Sequence, residues 1–534
     1  MATLTSSLSA ISISTENLTL DEIVAVARGG HKVELSPDAE FRRRIDLGRE
    51  TLTRKLAEGE AIYGVNTGFG GNACYVIPGE ELAHHQQNLI EFMACGVGEP
   101  LAEEAVRAAI LLRANALARG LSGVRLVVIE RLLDLLNRGI TPVVPRFGSV
   151  GASGDLCPSA YIARVMCGRG EVIYRGERVK AADALWCERI EPLTIEAKEG
   201  LALLNGTTVM TGIAALAVDE ATYLFHLALG AIAMAVEALR SSPDYFHPVI
   251  HLAKHHPGQI GVAEMLNSLL YDSKLAVPLD EIRHRVERAE RRADQMHHVV
   301  KAPETIQSPY SLRCAPQGLG PMLEALRQAR EVIEREANSV NDNPLIDPGS
   351  DHVYHTGNFY GAHIARAMDG LKLDLANLAN WLHSVMALVM DGRFSNGLPN
   401  SLSPHPGLYQ GFKGMQIAHT SLTAAIRHWA APSMIHTLPT EQFNQDVVSL
   451  GTLAAETAMD VTRLARSLVA ITLLSMAQAV DLRQGGGQLG AGTRPIYRML
   501  RSASGFVDAD RALDADIAAV AGMIERREIP VLWS

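Results

Sequence analysis

Residues 101–120 read LAEEAVRAAILLRANALARG, and residues 126–139 read LVVIERLLDLLNRG. Apolar side chains recur at intervals of three and four, and each stretch closes on a glycine that follows basic or polar residues. Both features belong to amphipathic helices that end on a glycine cap. The pair predicts two helices of one antiparallel layer. Further Ala/Leu-rich periodic runs begin near Gly200, Leu319, His363, Leu422 and Val447, each long enough for several turns. Five such runs predict a bundle of long helices. Strand signals are few and short; EVIYRGERV at 171–179 alternates around Gly176 and predicts a hairpin. The expected fold class is mostly α.

Composition narrows the function classes. The 534 residues are 47% apolar, 20% charged and 5% aromatic. A chain of this length hides roughly three quarters of its unfolded surface, so it needs neither a disulfide framework nor a structural metal to make a core. With 59 acidic against 49 basic residues the net charge is -10, which leaves no general basic field for a nucleic-acid backbone. No nucleic-acid partner is expected. Cysteines 74, 95, 157, 167, 187 and 314 form no CxxC pair, which fits reduced thiols and a cytoplasmic address. The opening MATLTSSLSAISISTENL has no cation and no sustained apolar run, so residues 1–20 read as a flexible tail, not a secretory signal. The apolar stretch Ala221–Leu239 is interrupted by His226 and Glu237, which favours a buried helix over a membrane span. His247, His251, His255 and His256 fall at helical spacing, with His297-His298 beyond, but Pro248 and Pro257 break the helix and no HExxH occurs. Metal-dependent hydrolysis is the alternative these histidines raise; solvated or capping histidines are the better reading, and no metal is expected. QGGGQLGAG at 484–492 reads as a flexible connector.

Function is sought in the loops that rigid helices would hold. Four Gly/Pro-rich patches stand out: YGVNTGFGGNA from Tyr63, RFGSVGASGDLCP from Arg146, QSPYSLRCAPQ from Gln307 and HTGNFYG from His355. The glycines at 64, 68, 70 and 71 make only a weak phosphate cradle, since no Lys-Ser/Thr pair follows. In the second patch, glycines crowd Ala152-Ser153-Gly154, a density suited to unusual backbone geometry. A tight bend there can press the nitrogen of Gly154 onto the carbonyl carbon of Ala152. Ring closure with loss of water, including the hydroxyl of Ser153, leaves a methylidene conjugated to an imidazolone. That group is a strong electrophile.

This loop resembles the hallmark of the histidine, phenylalanine and tyrosine ammonia-lyase family, whose prosthetic group, 4-methylideneimidazole-5-one (MIO), forms from an internal Ala-Ser-Gly. The segments from Tyr63 to Gly70, Asn205 to Thr207, Tyr310 to Arg313, Asn341 to Pro344 and Asn444 to Ser449 also resemble family motifs, in the family's order. The likeness spans roughly residues 20 to 485 and is nearest to bacterial phenylalanine ammonia-lyases, with which GFGGNA, RFSNGLPNSLSP and AAIRHW are similar. It implies an ammonia-lyase (fumarase/aspartase-like) fold. Residues 21–205 are then an N-terminal domain carrying the MIO loop, and 206–534 a long-helix bundle with a C-terminal helical segment. It also implies a homotetramer with sites shared between subunits, MIO formed autocatalytically from Ala152-Ser153-Gly154, and no metal or dissociable cofactor.

The resemblance makes Tyr63 the base that removes a β-proton from an aromatic amino acid. A free phenol has a pKa of about 10, so cationic or hydrogen-bonding neighbours are expected to favour the phenolate. Arg313 suits the substrate carboxylate, because a guanidinium grips it with two parallel hydrogen bonds. Similarity puts Tyr310 beside the prosthetic group and Asn205 at its carbonyl. It makes Gln307, Asn343, Phe359 and Gln445 pocket residues, and Glu441 an acid near the amine. Phe92 and Met93 match the pair beside the substrate side chain. A pocket built to bond a phenol would reject a bare ring by about 10⁴-fold, and no such group stands at these two positions, so phenylalanine, released as trans-cinnamate and ammonia, leads. Tyrosine, another ring-substituted substrate, or an aminomutase outcome are the alternatives. Glu91, about 100° round a helix, is expected to turn aside. Cys157, Ser159 and Thr356 depart from the family pattern.

Overall fold

The periodic runs fold as helices. The protein is described by a computed structural model that covers residues 10–302 and 304–533. The two stretches opening the sequence argument are helices Glu103–Ala118 and Leu126–Asn137, and the five longer runs lie in Thr208–Ala238, Ala315–Ala337, Ala362–Met390, Lys413–Trp429 and Gly451–Leu482. Two boundaries differ from the sequence reading. The run from Gly200 is broken: a six-residue helix, Glu199–Leu204, stops at Asn205-Gly206 before the long helix starts. The run near Leu422 starts earlier, at Lys413. The described residues include nineteen α-helices and nine short strands, so the fold is mostly α.

The expected hairpin is present, with Glu171–Tyr174 paired antiparallel to Glu177–Lys180. Its two turn residues, Arg175 and Gly176, have φ of 55° and 82°. Two left-handed central residues match the right-handed twist of the flanking strands, and glycine adopts that shape without strain.

The chain divides into two compact units. One comprises Met1–Asp219, Ala329–Gly370 and Pro432–Met459; the other comprises Glu220–Gln328, Leu371–Ala431 and Asp460–Ser534. All nine described strands belong to the first. At its centre, helix Glu103–Ala118 packs on Leu20–Gly29 and Leu126–Asn137 and is buried on nearly every side, Arg113 and Asn115 included. Each large aliphatic side chain hidden this way contributes about 1.5–3 kcal/mol. Of the tail expected over residues 1–20, residues 1–9 lie outside those described; Ile11–Ile13 pairs in parallel with Val33–Leu35, and Thr19 caps the next helix through a reciprocal bond with Glu22.

The second unit is helical among its described residues. Helices Thr208–Ala238 and Gly451–Leu482 are long and apolar enough to cross a membrane, yet 94% and 78% of their most apolar windows are buried within the protein. They are core helices, as the reading of Ala221–Leu239 anticipated. The glycine-rich stretch at 484–492 corrects another expectation. It is a packed joint, not a flexible connector: Gly490 donates its N–H to the Glu237 carboxylate at 2.6 Å, and an added Cβ on Gly490 would lie 2.5 Å from the Leu269 carbonyl. Cβ atoms on Gly486 and Gly492 would meet neighbours at 2.8 Å, whereas Gly487 faces open space. The glycines here permit close approach.

Gly490→Ala therefore lowers stability by about 1–3 kcal/mol through overpacking, while Gly487→Ala leaves it unchanged or slightly raised. Denaturant melts of the two variants check this; equal effects would restore the connector reading.

Candidate active site

The glycine crowding around Ser153 has a structural cause. Between strand Pro145–Phe147 and helix Leu156–Met166 the chain folds back on the Asn205-Gly206 turn, and Gly151 and Gly154 take φ of 65° and 73°. A Cβ on Gly154 would lie 2.1 Å from the Gly206 carbonyl oxygen, so only glycine fits. The close approach is bonded on both sides: Asp155 N–H donates to Gly206 O at 2.7 Å, and Gly206 N–H donates to Ser153 O at 3.2 Å. Asn205 Nδ2 donates to the same Ser153 oxygen at 3.1 Å. Two N–H donors thus converge on one carbonyl, an arrangement that stabilises negative charge there. Gln445 Nε2 donates to Ser153 Oγ at 3.1 Å, and Ser449 Oγ to Gly151 O at 2.8 Å.

Asp155 anchors the loop from below. Its buried carboxylate accepts N–H bonds of 3.0 and 2.9 Å from Val209 and Met210, at the start of the long helix, and a 2.5 Å bond from Thr452 Oγ1. Burial still prevails and pushes its carboxyl up to about 6. Cys157 fills the space under the loop, where an added Cβ on Gly148 would lie 2.3 Å from its sulfur. These features fit a cyclised backbone group: a left-handed glycine brought against its neighbours, a hydroxyl at the cavity wall, and paired donors on the central carbonyl.

Ala152 and Ser153 form part of a cavity of about 250 Å³. Tyr63, Phe69 and Gly70 line it on one loop, Leu89 and Met93 at the end of helix Leu82–Phe92, and Leu201 and Asn205 on and after the short helix. Leu156, Asn343, Phe359, Tyr360, Glu441 and the segment 444–447 complete the lining. Nine of the residues singled out in the sequence therefore meet here: Tyr63, Met93, Ala152, Ser153, Asn205, Asn343, Phe359, Glu441 and Gln445. Gly154 lies behind this wall, at the Gly206 contact. Phe92 is 54% exposed, with its ring centroid 6.3 Å from that of Phe69, and does not line the cavity. Gln307, Tyr310 and Arg313 are not brought there either; they belong to the second unit. Arg313 Nε donates to Ser308 O at 3.0 Å and its guanidinium lies 4.6 Å from the centre of the Tyr310 ring, which is 69% exposed.

The surroundings of Tyr63 differ from expectation. Burial pushes its phenol up, the Gly70 N–H bond of 2.9 Å to its oxygen counters this, and the Glu441 carboxylate pushes it up further. No Lys, Arg or His stands among the lining residues. Glu441 is itself pushed up by burial. It sits so close to the Tyr63 loop that a Cβ on Gly70 would lie 2.2 Å from its Oε2, and one on Gly71 would lie 1.9 Å from Gln442 Oε1. Glu441, Gln442 and Phe443 all have left-handed backbones, with φ of 48°, 56° and 64°. Strain of this kind collects at functional sites.

Buried charges and Thr356, none of them lining the cavity, bond to the segments that carry lining residues. Lys198, fully buried and left-handed with φ of 74°, pairs with Asp342 at 2.6 Å, and Arg113 donates to Ala202 O and Thr208 Oγ1 at 3.3 and 3.2 Å. Asn343 Oδ1 accepts the Thr356 N–H at 2.7 Å, and Thr356 Oγ1 closes a turn on Asn358 N–H at 2.9 Å. Glu91 is turned aside, bonded to Arg169 at 2.7 Å and Arg164 at 3.3 Å. Leu89 lies outside every segment quoted from the sequence, and the spacing of four from Leu89 to Met93 marks it; Tyr360 and Asp446 fall within HTGNFYG and the Asn444–Ser449 motif but were given no role of their own. Among the described residues no group of three or more His, Cys, Asp or Glu is placed to hold a metal, and His251 is bonded to Tyr245 O and Gln259.

A family model described as aromatic amino acid lyase matches residues 18–502. A hal-like protein of Dictyostelium discoideum is 44% identical over 513 residues, 95% of each chain. Histidine ammonia-lyase of Geobacillus kaustophilus is 42% identical over 472 residues, 88% of this chain and 89% of the relative. Among solved structures, phenylalanine aminomutase of Pantoea agglomerans superposes with a TM-score of 0.91 at 35% identity, covering 96% of this chain and 98% of that one.

The Gly154–Gly206 contact yields a direct test. Gly154→Ala puts a Cβ against a carbonyl and a side chain on a left-handed backbone, so stability falls by more than about 2 kcal/mol. A thermal melt within a degree of the parent would show that the loop is free to move.

Proposed function

The chain belongs to the aromatic amino acid lyase family, whose members cleave carbon–nitrogen bonds, and on that premise we propose that it deaminates L-phenylalanine to trans-cinnamate and ammonia. The observation that carries this reading is the conjunction of the Ser153 loop with an apolar wall at Leu89 and Met93 in one cavity. The group cyclised from Ala152, Ser153 and Gly154 (MIO) supplies an electrophile that makes the amine a competent leaving group. Tyr63 takes the β-proton on its phenolate oxygen, with Gly70 N–H donating to that oxygen. Asn205 and Gly206 hold negative charge at the Ser153 carbonyl. Glu441 lies near the amine, and Asn343, Phe359 and Gln445 orient the rest of the substrate.

A carboxylate needs a cation, and among the described residues none lines the cavity. We assign that role to Arg313 of another subunit, with Tyr310 and Gln307 arriving on the same segment, in a cytoplasmic homotetramer; the exposure of Tyr310 supports this. Phe92 flanks the substrate ring from beside Phe69.

Histidine is the second reading. It is favoured by the similarity to histidine ammonia-lyases and by Glu441, a carboxylate able to meet an imidazole. Incubating the protein separately with phenylalanine, tyrosine and histidine and following arylacrylate absorbance decides between them. Urocanate formation with little cinnamate would replace the first reading by the second, and β-phenylalanine as the main early product would make the protein an aminomutase.

Ser153→Ala removes the hydroxyl that must leave on ring closure, so turnover falls by orders of magnitude while the far-ultraviolet spectrum is kept; parental rates would refute the assignment. The pH profile gives a second test. Tyr63 is held above the ordinary phenol range and must ionise, so kcat/KM rises toward alkaline pH. Glu441 is one cause of that upward push. Glu441→Gln therefore favours the phenolate and moves the rising limb to lower pH; an unmoved limb would show that Tyr63 is not the group being titrated.

A further inference from the structure

Gln86 is completely buried on helix Leu82–Phe92, one face of which continues to Leu89 and Met93 at the cavity. Its amide is used at both ends. Nε2 donates to the carbonyl of Gly64 at 2.7 Å, and Oε1 accepts the N–H of Leu201 at 2.8 Å. Gly64 directly follows Tyr63 and is left-handed, with φ of 64°. Leu201 is the third residue of helix Glu199–Leu204, so its N–H has no partner within that helix. Lys198, at the cap position, cannot serve because its ammonium group donates and does not accept. Gln86 supplies the missing acceptor from a different helix.

Each end of this link leads to a cavity group. Leu201 O accepts the N–H of Asn205 at 2.8 Å, and Asn205 Nδ2 reaches the Ser153 carbonyl at 3.1 Å. On the other side Gly64 N–H donates to Thr67 Oγ1 at 3.0 Å, closing the turn whose Gly70 N–H meets the Tyr63 oxygen. The joint leaves no slack. A Cβ on Gly200 would lie 2.6 Å from the Gln86 carbonyl oxygen, and one on Gly64 would lie 2.8 Å from Leu201 Cδ2.

We infer that Gln86 is a positioning residue that sets the separation between Tyr63 and Asn205, and so between the proton acceptor and the carbonyl-binding amide. The inference rests on the reading of Tyr63 as base. Gln86 is not among the residues that line the cavity. A misplacement of about 1 Å in such a pair costs on the order of 100-fold in rate.

Two variants test it, each measured for kcat and KM, intact mass and amide hydrogen exchange. Gln86→Leu keeps the volume and removes both bonds. Its kcat falls by about 100-fold with KM within about 3-fold, its mass still shows the dehydrated loop, and exchange quickens in segments 63–70 and 201–205 only. Gln86→Glu keeps the acceptor for Leu201 but can donate to Gly64 only as the neutral acid. Its kcat relative to the parent therefore rises as pH falls and drops as the carboxyl ionises. Parental kcat in Gln86→Leu, or uniformly faster exchange across the chain, overturns the inference. If Gln86→Leu does not fold, the pH-dependent ratio of Gln86→Glu decides, and a flat ratio overturns it. Failure of the underlying reading looks different: the parent itself turns over none of the three amino acids, whereas the exchange pattern, recorded without substrate, still reports the link.

Discussion

A glycine that cannot tolerate a single carbon atom governs the cavity. Gly154 and Gly206 run side by side as a short parallel bridge, and the Asp155 N–H to Gly206 O bond of 2.7 Å fixes their spacing. Asn205 reaches Ser153 because Gly206 stands there. Asp155 reaches the first N–H groups of the long helix because the loop turns down behind Gly154, and the helix N-terminus favours a carboxylate at that point. The break between Glu199–Leu204 and Thr208–Ala238 is thus the feature that lets a helical scaffold present a backbone carbonyl to a cavity.

The polar interior around this contact consists of linked pairs. Arg113 and Lys198 are both fully buried, and burial depresses both, Arg113 to about 10. Asp342 opposes this shift in each, and Asp155 does so for Arg113. Removing one partner of such a pair typically costs 3–5 kcal/mol, because the other charge is left buried and alone. The segments that carry Asn343, Ser153 and Asn205 are consequently fastened to one another by charge as well as by packing. Gln86 adds the Tyr63 loop through neutral hydrogen bonds.

Local rules explain what could be read from the sequence. The periodic runs became helices because burial of an apolar face every three to four residues is a nearest-neighbour property, and the hairpin followed from one glycine at a turn that needs it. The Ser153 loop was legible because close backbone approach demands glycines in a cluster. The stretch at 484–492 shows the same signal misread: glycine that permits motion and glycine that permits contact are spelled alike, and only the Leu269 carbonyl distinguishes them. Arg113, Lys198 and Gln86 carried no sign of burial, since charged and amide side chains on a helix ordinarily face water. The upward push on Tyr63 was invisible because it comes first from burial and then from Glu441, several hundred residues away in the chain.

The run of left-handed residues from Glu441 to Phe443 shares a close contact with the loop that carries Tyr63. Without glycine, each residue held in that shape sits about 1–2 kcal/mol above its relaxed form, and the run lies against Gly70 and Gly71 with no spare room. A side chain added at Gly70 or Gly71 would have to displace Glu441 or Gln442, so the two segments fit together as one piece of wall.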